Sequence, residues 1–258
     1  MPNAKQWTLI ATIIASSMTF IDGTVVNVAL PAMQTTFGAT ITQVQWVIET
    51  YTLFLGALLL VGGSLGDQLG RKRVFLAGVL LFTAASVLCG LAPTPDLLIA
   101  ARALQGVGAA LLVPGSLAII AATFDGADRG RAIGTWSGFS AITTAIGPVA
   151  GGWLVEHVSW RAAFFMNLPL AGLVFLLSKH MTESRDESRS GAIDWLGAAL
   201  TVAGLGGIVF GLLQWPRLGG SSPAVVGALA VGVVALVLLP IVEHRAANPM
   251  VTLALFRS

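Results

Sequence analysis

The sequence predicts an all-α integral membrane protein: a six-helix bundle of two inverted three-helix repeats, followed by two further transmembrane helices. Three observations carry that expectation. The chain is 55% hydrophobic and only 10% charged, whereas soluble domains carry roughly 25% charged residues. Its apolar residues gather into long runs, each near the ~20 residues that cross the hydrocarbon core of a bilayer. One segment also aligns with another that follows the opposite face of the membrane.

The expected spans, in order, are 7–33, 44–66, 73–92, 96–122, 131–155, 161–178, 194–214 and 223–242. The first is too long for the apolar part of a signal peptide and lacks a small-residue cleavage site, so it stays as a span. The second, fourth and fifth carry many glycines, which lets helices approach closely in lipid. The sixth is separated from the seventh by the one markedly polar linker, KHMTESRDESRSGAI. The organisation is therefore a six-helix domain over 1–178, a cytoplasmic linker over 179–193, and two linker spans with a cytoplasmic tail over 194–258. A cytoplasmic N-terminus leaves Lys5, Arg71, Lys72, Arg73, Arg129, Arg131, Lys179, Arg185, Arg189, Arg245 and Arg257 inside, against Arg161 and Arg217 outside. Cytoplasmic loops are enriched in Lys and Arg, so the chain is expected to be multi-pass in the inner (plasma) membrane, with its N-terminus in the cytoplasm.

The repeat aligns GGSLGDQLGRKRVF (62–75) with GGWLVEHVSWRAAF (151–164) without gaps. Gly62/Gly151, Gly63/Gly152, Leu65/Leu154 and Phe75/Phe164 are identical, and Asp67/Glu156 and Lys72/Arg161 keep the sign of charge. The first copy follows the second span and the other follows the fifth, on opposite sides. Secondary transporters build two alternating gates from such repeats.

Composition excludes several classes. The single cysteine, Cys89, permits no internal disulfide, and His157, His180 and His244 are isolated; no metal site or cofactor is expected. No basic stripe interleaved with aromatics suggests nucleic acid. No nucleophile–base pair or phosphate loop suggests an enzyme.

The intramembrane charges are the candidate functional residues. Asp22 is the only ionisable group between Lys5 and Glu49. It lies about 20 Å above Trp7 at 1.5 Å per residue. Glu49 enters the second span from outside, and Arg102 is at similar depth on the fourth, so the three are expected to share one cavity as proton- and cation-coupling groups. A carboxyl there binds a proton or a cation, but not both at full strength, and that competition combined with two gates is antiport. Two alternatives stay open: a structural ion pair of Asp22 with Arg102, and interfacial solvation of Glu49. Trp46, Trp136, Trp153, Phe139 and Phe165 could stack on a planar cation or anchor the helices at the interface. Asn27 is expected to pack against a neighbouring helix, and Asp194 to cap the seventh span.

Five motifs occur in order. GSLGDQLGRKR (63–73) contains Gly63, Asp67, Gly70, Arg71 and Lys72. Asp67 sits at a helix C-terminus, where the dipole favours cations, so it needs a partner such as Arg71 or a helix N-terminus elsewhere. RALQGVGAALLVP (102–114) puts Arg102, Gln105 and Gly106 on one face. TAIGPVAGGW (144–153) contains Gly147, Pro148, Gly151 and Gly152, a small-residue face. IDGTVVNVALP (21–31) and WRAAFFMNLPLAG (160–172) complete the set, with DWLGAAL opening the seventh span. Together these resemble the signatures of the major facilitator superfamily, in its fourteen-helix drug/proton antiporter branch. Gln68 stands where the family has Arg in the cytoplasmic loop, and Thr143 replaces a leading Gly in the fifth span.

The resemblance implies proton-coupled efflux of hydrophobic, cationic drugs or toxic compounds. It makes 63–73 a cytoplasmic gating loop and 147–152 the helix-packing antiporter motif, with Gln105 and Gly106 in the helix-4 motif. The implied partners are a small-molecule substrate, protons and the lipid bilayer. That family has six helices, two linker helices and six more, so a C-terminal half is expected to be missing from this sequence. Two other readings remain: a non-transporting fragment or membrane subunit, and an exporter of a metabolite or siderophore.

Overall fold

The computed structural model describes residues 3–185 and 194–244. Arg189, Arg245 and Arg257, most of the polar linker, and the tail lie outside the described residues. The described residues form α1 (Ala4–Phe37), α2 (Ile41–Leu69), α3 (Arg71–Leu91), α4 (Pro95–Thr123), α5 (Gly126–His157), α6 (Ala162–Phe165), α7 (Asn167–Leu177), a 3-10 turn (Ser178–His180), α8 (Trp195–Leu218) and α9 (Pro223–Glu243). Counting α6, α7 and the turn as one, eight helices are long and apolar enough to cross a membrane.

Caps, rather than hydrophobicity, set the helix ends, so several helices overrun the apolar spans. Asn3 with Gln6 and Thr40 with Gln43 form capping boxes that open α1 and α2. Gly38 closes α1 in the left-handed conformation, with φ of 58°. Thr94 caps α4, whose first residue is Pro95. Pro31, Pro114 and Pro148 lie inside α1, α4 and α5, which remain α-helical through them.

The sixth span is present as expected, over Ala162–His180, with a one-residue break at Met166 between α6 and α7, where the backbone keeps right-handed helical angles (φ −60°, ψ −21°). Pro169 explains the break. Its missing N–H and its ring, which would meet the Phe165 carbonyl four residues back, prevent a continuous ladder there.

In the bundle, α1 packs on α5, α2 on α4, and α3 on α4; α8 and α9 form a hairpin laid against α2. The repeat alignment equates α1 with α4 and α2 with α5, so the first two pairings are the same contact made twice. Bonds from two corresponding cations agree with it. Arg161 Nη1 donates to the Gly90 and Ala92 carbonyls at the end of α3 (3.0 and 2.9 Å), and Lys72 Nζ donates to the Met181 carbonyl after α7 (2.7 Å). Lys72 and Arg161 correspond in the alignment, and at the same spacing so do Ala92 and Met181.

Two apolar layers fill the bundle. One holds Met18, Phe75, Phe82, Leu112 and Val174; the other holds Val26, Met33, Leu98, Trp160 and Phe164. Along α1, α3 and α4 a polar band separates them, and it contains Asp22, Ser86, Arg102 and Gln105, all buried.

Candidate functional site

The polar band is a hydrogen-bonded network built from five helices. Asp22 on α1 is held at both oxygens: Arg102 Nη1 of α4 donates to Oδ2, and Gln105 Nε2 donates to Oδ1 at 2.8 Å. The two charged side chains are 1% and 0% exposed. Arg102 also donates through Nη1 to Gln105 Oε1 (2.7 Å) and through Nε to the Val47 carbonyl of α2 (3.0 Å). Its guanidinium carbon lies 4.2 Å from the centre of the Tyr51 ring, a cation–π contact. Ser86 on α3 accepts from Gln105 Nε2 (2.7 Å) and from Asn167 Nδ2 of α7 (3.1 Å).

This arrangement answers the cost of an intramembrane carboxylate. Desolvating two charges is offset only when the pair is close and its remaining donors and acceptors are met. Here Gln105 supplies the second bond to Asp22 and in turn leans on Ser86. Arg102 and Gln105 are three apart on one face, as the sequence predicts. Next on that face is Gly106, where an added Cβ would fall 2.6 Å from the Tyr51 carbonyl oxygen. The absence of a side chain there lets α2 bring Val47 and Tyr51 onto Arg102.

Glu49 is not part of this network. It is half-buried, and its Oε2 accepts from Gln214 Nε2 of α8 at 2.7 Å. The expectation that Asp22, Arg102 and Glu49 share one cavity is therefore corrected: two are paired inside the bundle, and the third lies on the α2–α8 seam. Residue numbers fix depth along a helix, but Glu49 is about 200° around α2 from Val47. Beside the seam, an apolar cavity of about 250 Å³ is lined by Leu53, Phe54, Ala57 and Leu58 of α2 and Val202, Gly206 and Phe210 of α8.

Gly147 and Gly151 pack α5 against the part of α1 that carries Asp22. A Cβ at Gly147 would strike Thr24 Oγ1, and one at Gly151 would meet Val25; Gly152 faces Val28. Pro148 sits between them in unbroken helix. The expected loop at 63–73 is helical except at Gly70, the joint between α2 and α3. In the last turn of α2, Asp67 Oδ1 accepts from Arg71 Nε (2.9 Å) and Nη2 (2.8 Å). Gly70 adopts φ of 109° between α2 and α3, a conformation that favours glycine. A Cβ added at Gly63 would come into ordinary contact with Pro114 of α4, at 3.6 Å.

Among the aromatics, Trp136 donates to Ser16 Oγ at 3.0 Å, Trp46 lies near Phe210, and Trp153 and Phe139 are exposed. The Phe165 ring closes over Gly90. Asn27 departs from expectation: it is exposed, and its Nδ2 donates to its own helix at Gly23 O (2.7 Å). Asp194 caps α8 as expected, accepting from the Gly197 amide at 2.8 Å.

Sequence reasoning missed Ser86, Asn167 and Tyr51. The available signal was polarity in otherwise apolar runs. Cys89 lies in the same band, fully buried, with Sγ 3.6 Å from Gln105 Oε1. A maleimide is expected to leave Cys89 unmodified in the folded chain and to label it completely once the helices are unfolded in SDS. Rapid labelling of the native chain would contradict the closed network.

The model of the Major Facilitator Superfamily matches residues 12–194. The chain is 38% identical to "Multidrug resistance protein Stp" of Mycobacterium tuberculosis (strain CDC 1551 / Oshkosh), covering 100% of this chain and 48% of that protein. It is 41% identical to "Puromycin resistance protein pur8" of Streptomyces alboniger, covering 95% of this chain and 49% of that protein. The chain thus spans about half the length of the curated relatives it matches. In three dimensions it resembles a peptide transporter crystallised with sulfate (TM-score 0.65, 14% identity), over 93% of this chain and 53% of that one. It also resembles a bacterial homologue of the lysosomal transporter Spinster, inward-facing and unoccupied (TM-score 0.56, 20% identity), over 92% of this chain and 61% of that one. With a match across most of the chain and an all-helical, multi-pass bundle that agrees with it, this chain belongs to the Major Facilitator Superfamily.

Proposed function

We propose that this chain is the N-terminal portion of a proton-coupled exporter of hydrophobic, cationic compounds, lying in the inner (plasma) membrane with its N-terminus in the cytoplasm. The observation that carries the proposal is the Asp22–Arg102 pair, fully buried at membrane depth and held by Gln105. Arg102 is a built-in cation that already occupies Asp22. A proton on Asp22 removes the charge that holds Arg102, and a lipophilic cation competes with Arg102 for the same carboxylate. Proton, drug and arginine thus exclude one another at one group, which is the requirement for exchange. Glu49, on a separate seam, serves as a second acidic group on the outer half of α2.

The relatives' names, which speak of resistance to several drugs and to puromycin, support the substrate class. The reciprocal bonds, from Arg161 before α6 to the end of α3 and from Lys72 of α3 to Met181 beyond α7, support two gates related by the repeat, with Asp67, Gly70, Arg71 and Lys72 on the cytoplasmic one. The second wall of the transport cavity would come from a further six-helix half. In a complete transporter containing this segment, Asp22→Asn is expected to reduce pH-driven efflux of a lipophilic cation such as ethidium to background, with expression unchanged. Efflux that persists at the wild-type rate rules out Asp22 as the coupling group. If the chain has no second half in the cell, no efflux will be found even for wild type, which favours a non-transporting membrane subunit.

A further inference from the structure

We infer that Glu183, just beyond the sixth span, positions the cytoplasmic gating loop by capping the N-terminus of α3. The gating role of the loop rests on the function proposed above; the cap itself does not.

The first three residues of α3 are Arg71, Lys72 and Arg73. Three cations on the first turn oppose the helix dipole, whose positive end lies there, and the amides of that turn have no intrahelical partner. The residue before them, Gly70, has no side chain with which to cap. The sequence therefore creates a helix start that needs an acid from elsewhere.

Glu183 is that acid. Its Oε1 accepts from the Lys72 amide (3.0 Å) and its Oε2 from the Arg73 amide (3.2 Å). Arg73 Nε lies 3.7 Å from Oε2, and the Ser184 carbonyl accepts from the Arg71 amide at 2.8 Å. Lys72 Nζ reaches back to the Met181 carbonyl. All three amides of the turn are thus met by one short segment more than a hundred residues away in sequence.

Gly70 gains a second reason to be glycine. An added Cβ would fall 2.9 Å from the Glu183 carboxyl, so the acid occupies the space a side chain would need. On the other side of the turn, Asp67 holds Arg71. Asp67 and Glu183 together orient the loop's cations, one from α2 and one from beyond α7.

Hydrogen–deuterium exchange on the 258-residue chain in lipid nanodiscs tests this. In Glu183→Ala, the amides of Arg71 to Arg73 should exchange about fivefold faster or more, the scale of a lost cap, while Val79 to Phe82 in the helix interior stay protected. Glu183→Asp should recover part of the protection. Gly70→Ala should also speed exchange there, because its Cβ meets the carboxylate and its φ of 109° strains any side chain. Unchanged exchange at Arg71 to Arg73 in Glu183→Ala overturns the inference. So does faster exchange along the whole of α3, since a local cap is what is claimed. Exchange is read without transport, so failure of the proposed antiport leaves this result standing.

Discussion

Arg102→Leu is expected to destabilise the chain by about 3–5 kcal/mol, the range for removing one partner of a buried ion pair. The guanidinium supplies a bond to Asp22, a bond to Gln105 and a bond to the Val47 carbonyl. Its loss leaves a carboxylate between two apolar layers with one amide donor, Gln105. Unfolding in mixed micelles with rising SDS measures the change. The pair Asp22→Leu and Arg102→Leu should recover much of the loss, because replacing both charges removes the desolvation cost together with the attraction. A single variant within about 1 kcal/mol of wild type would mean that the pair contributes no more than an exposed one. Under the function proposed above, a complete transporter carrying the double variant should be well folded and unable to couple efflux to a proton gradient, which separates stability from function.

The second large effect is expected at Gly106. Gly106→Val places a branched side chain against the Tyr51 carbonyl and the Phe54 Cβ of α2, where one added Cβ already lies within 2.6 and 2.9 Å. Overpacking of this kind costs about 1–3 kcal/mol. The clash is with backbone, so the helix must move rather than a side chain. Moving α2 from α4 also withdraws Val47 and Tyr51 from Arg102, so the same substitution should expose Cys89, two bonds away through Gln105, to maleimide. Gly134, with open space around an added Cβ, is the control: Gly134→Ala should leave labelling unchanged and not lower stability, since alanine favours a helix interior over glycine. A Gly106→Val chain as stable and as closed as wild type would show that α2 and α4 are not held by close approach at this point.

Much of the fold was legible because its determinants are local. Long apolar runs report helices of membrane length, and small residues four apart report close contacts, as Gly147 and Gly151 do against Thr24 and Val25. The gapless alignment of 62–75 with 151–164 anticipated the reciprocal bonds of Lys72 and Arg161. Pro169 was visible, but its consequence, the break at Met166, depends on where the surrounding helices tolerate it. Depth was also legible, since rise per residue is constant, and it correctly gave Asp22 and Arg102 similar heights.

Azimuth and long-range partnership were not legible. Glu49 has a depth compatible with Asp22, but only the packing of α8 on α2 decides that it meets Gln214. Ser86 and Asn167 are unremarkable polar residues in apolar helices until α3, α4 and α7 converge on Gln105. The acid that caps α3 lies beyond the sixth span, and no local pattern marks Glu183 among its polar neighbours. The sequence by itself determined the membrane class, the spans, the repeat and the presence of Asp22 and Arg102 as intramembrane charges at similar depth, with their pairing left open as one of two readings. Hydropathy, spacing and charge act within a helix and need no neighbour. Only the tertiary structure decided which groups complete that pair and which acid closes the loop. A hydrogen bond between distant segments depends on the rotation and offset of two helices, and these are set by the packing of the whole bundle.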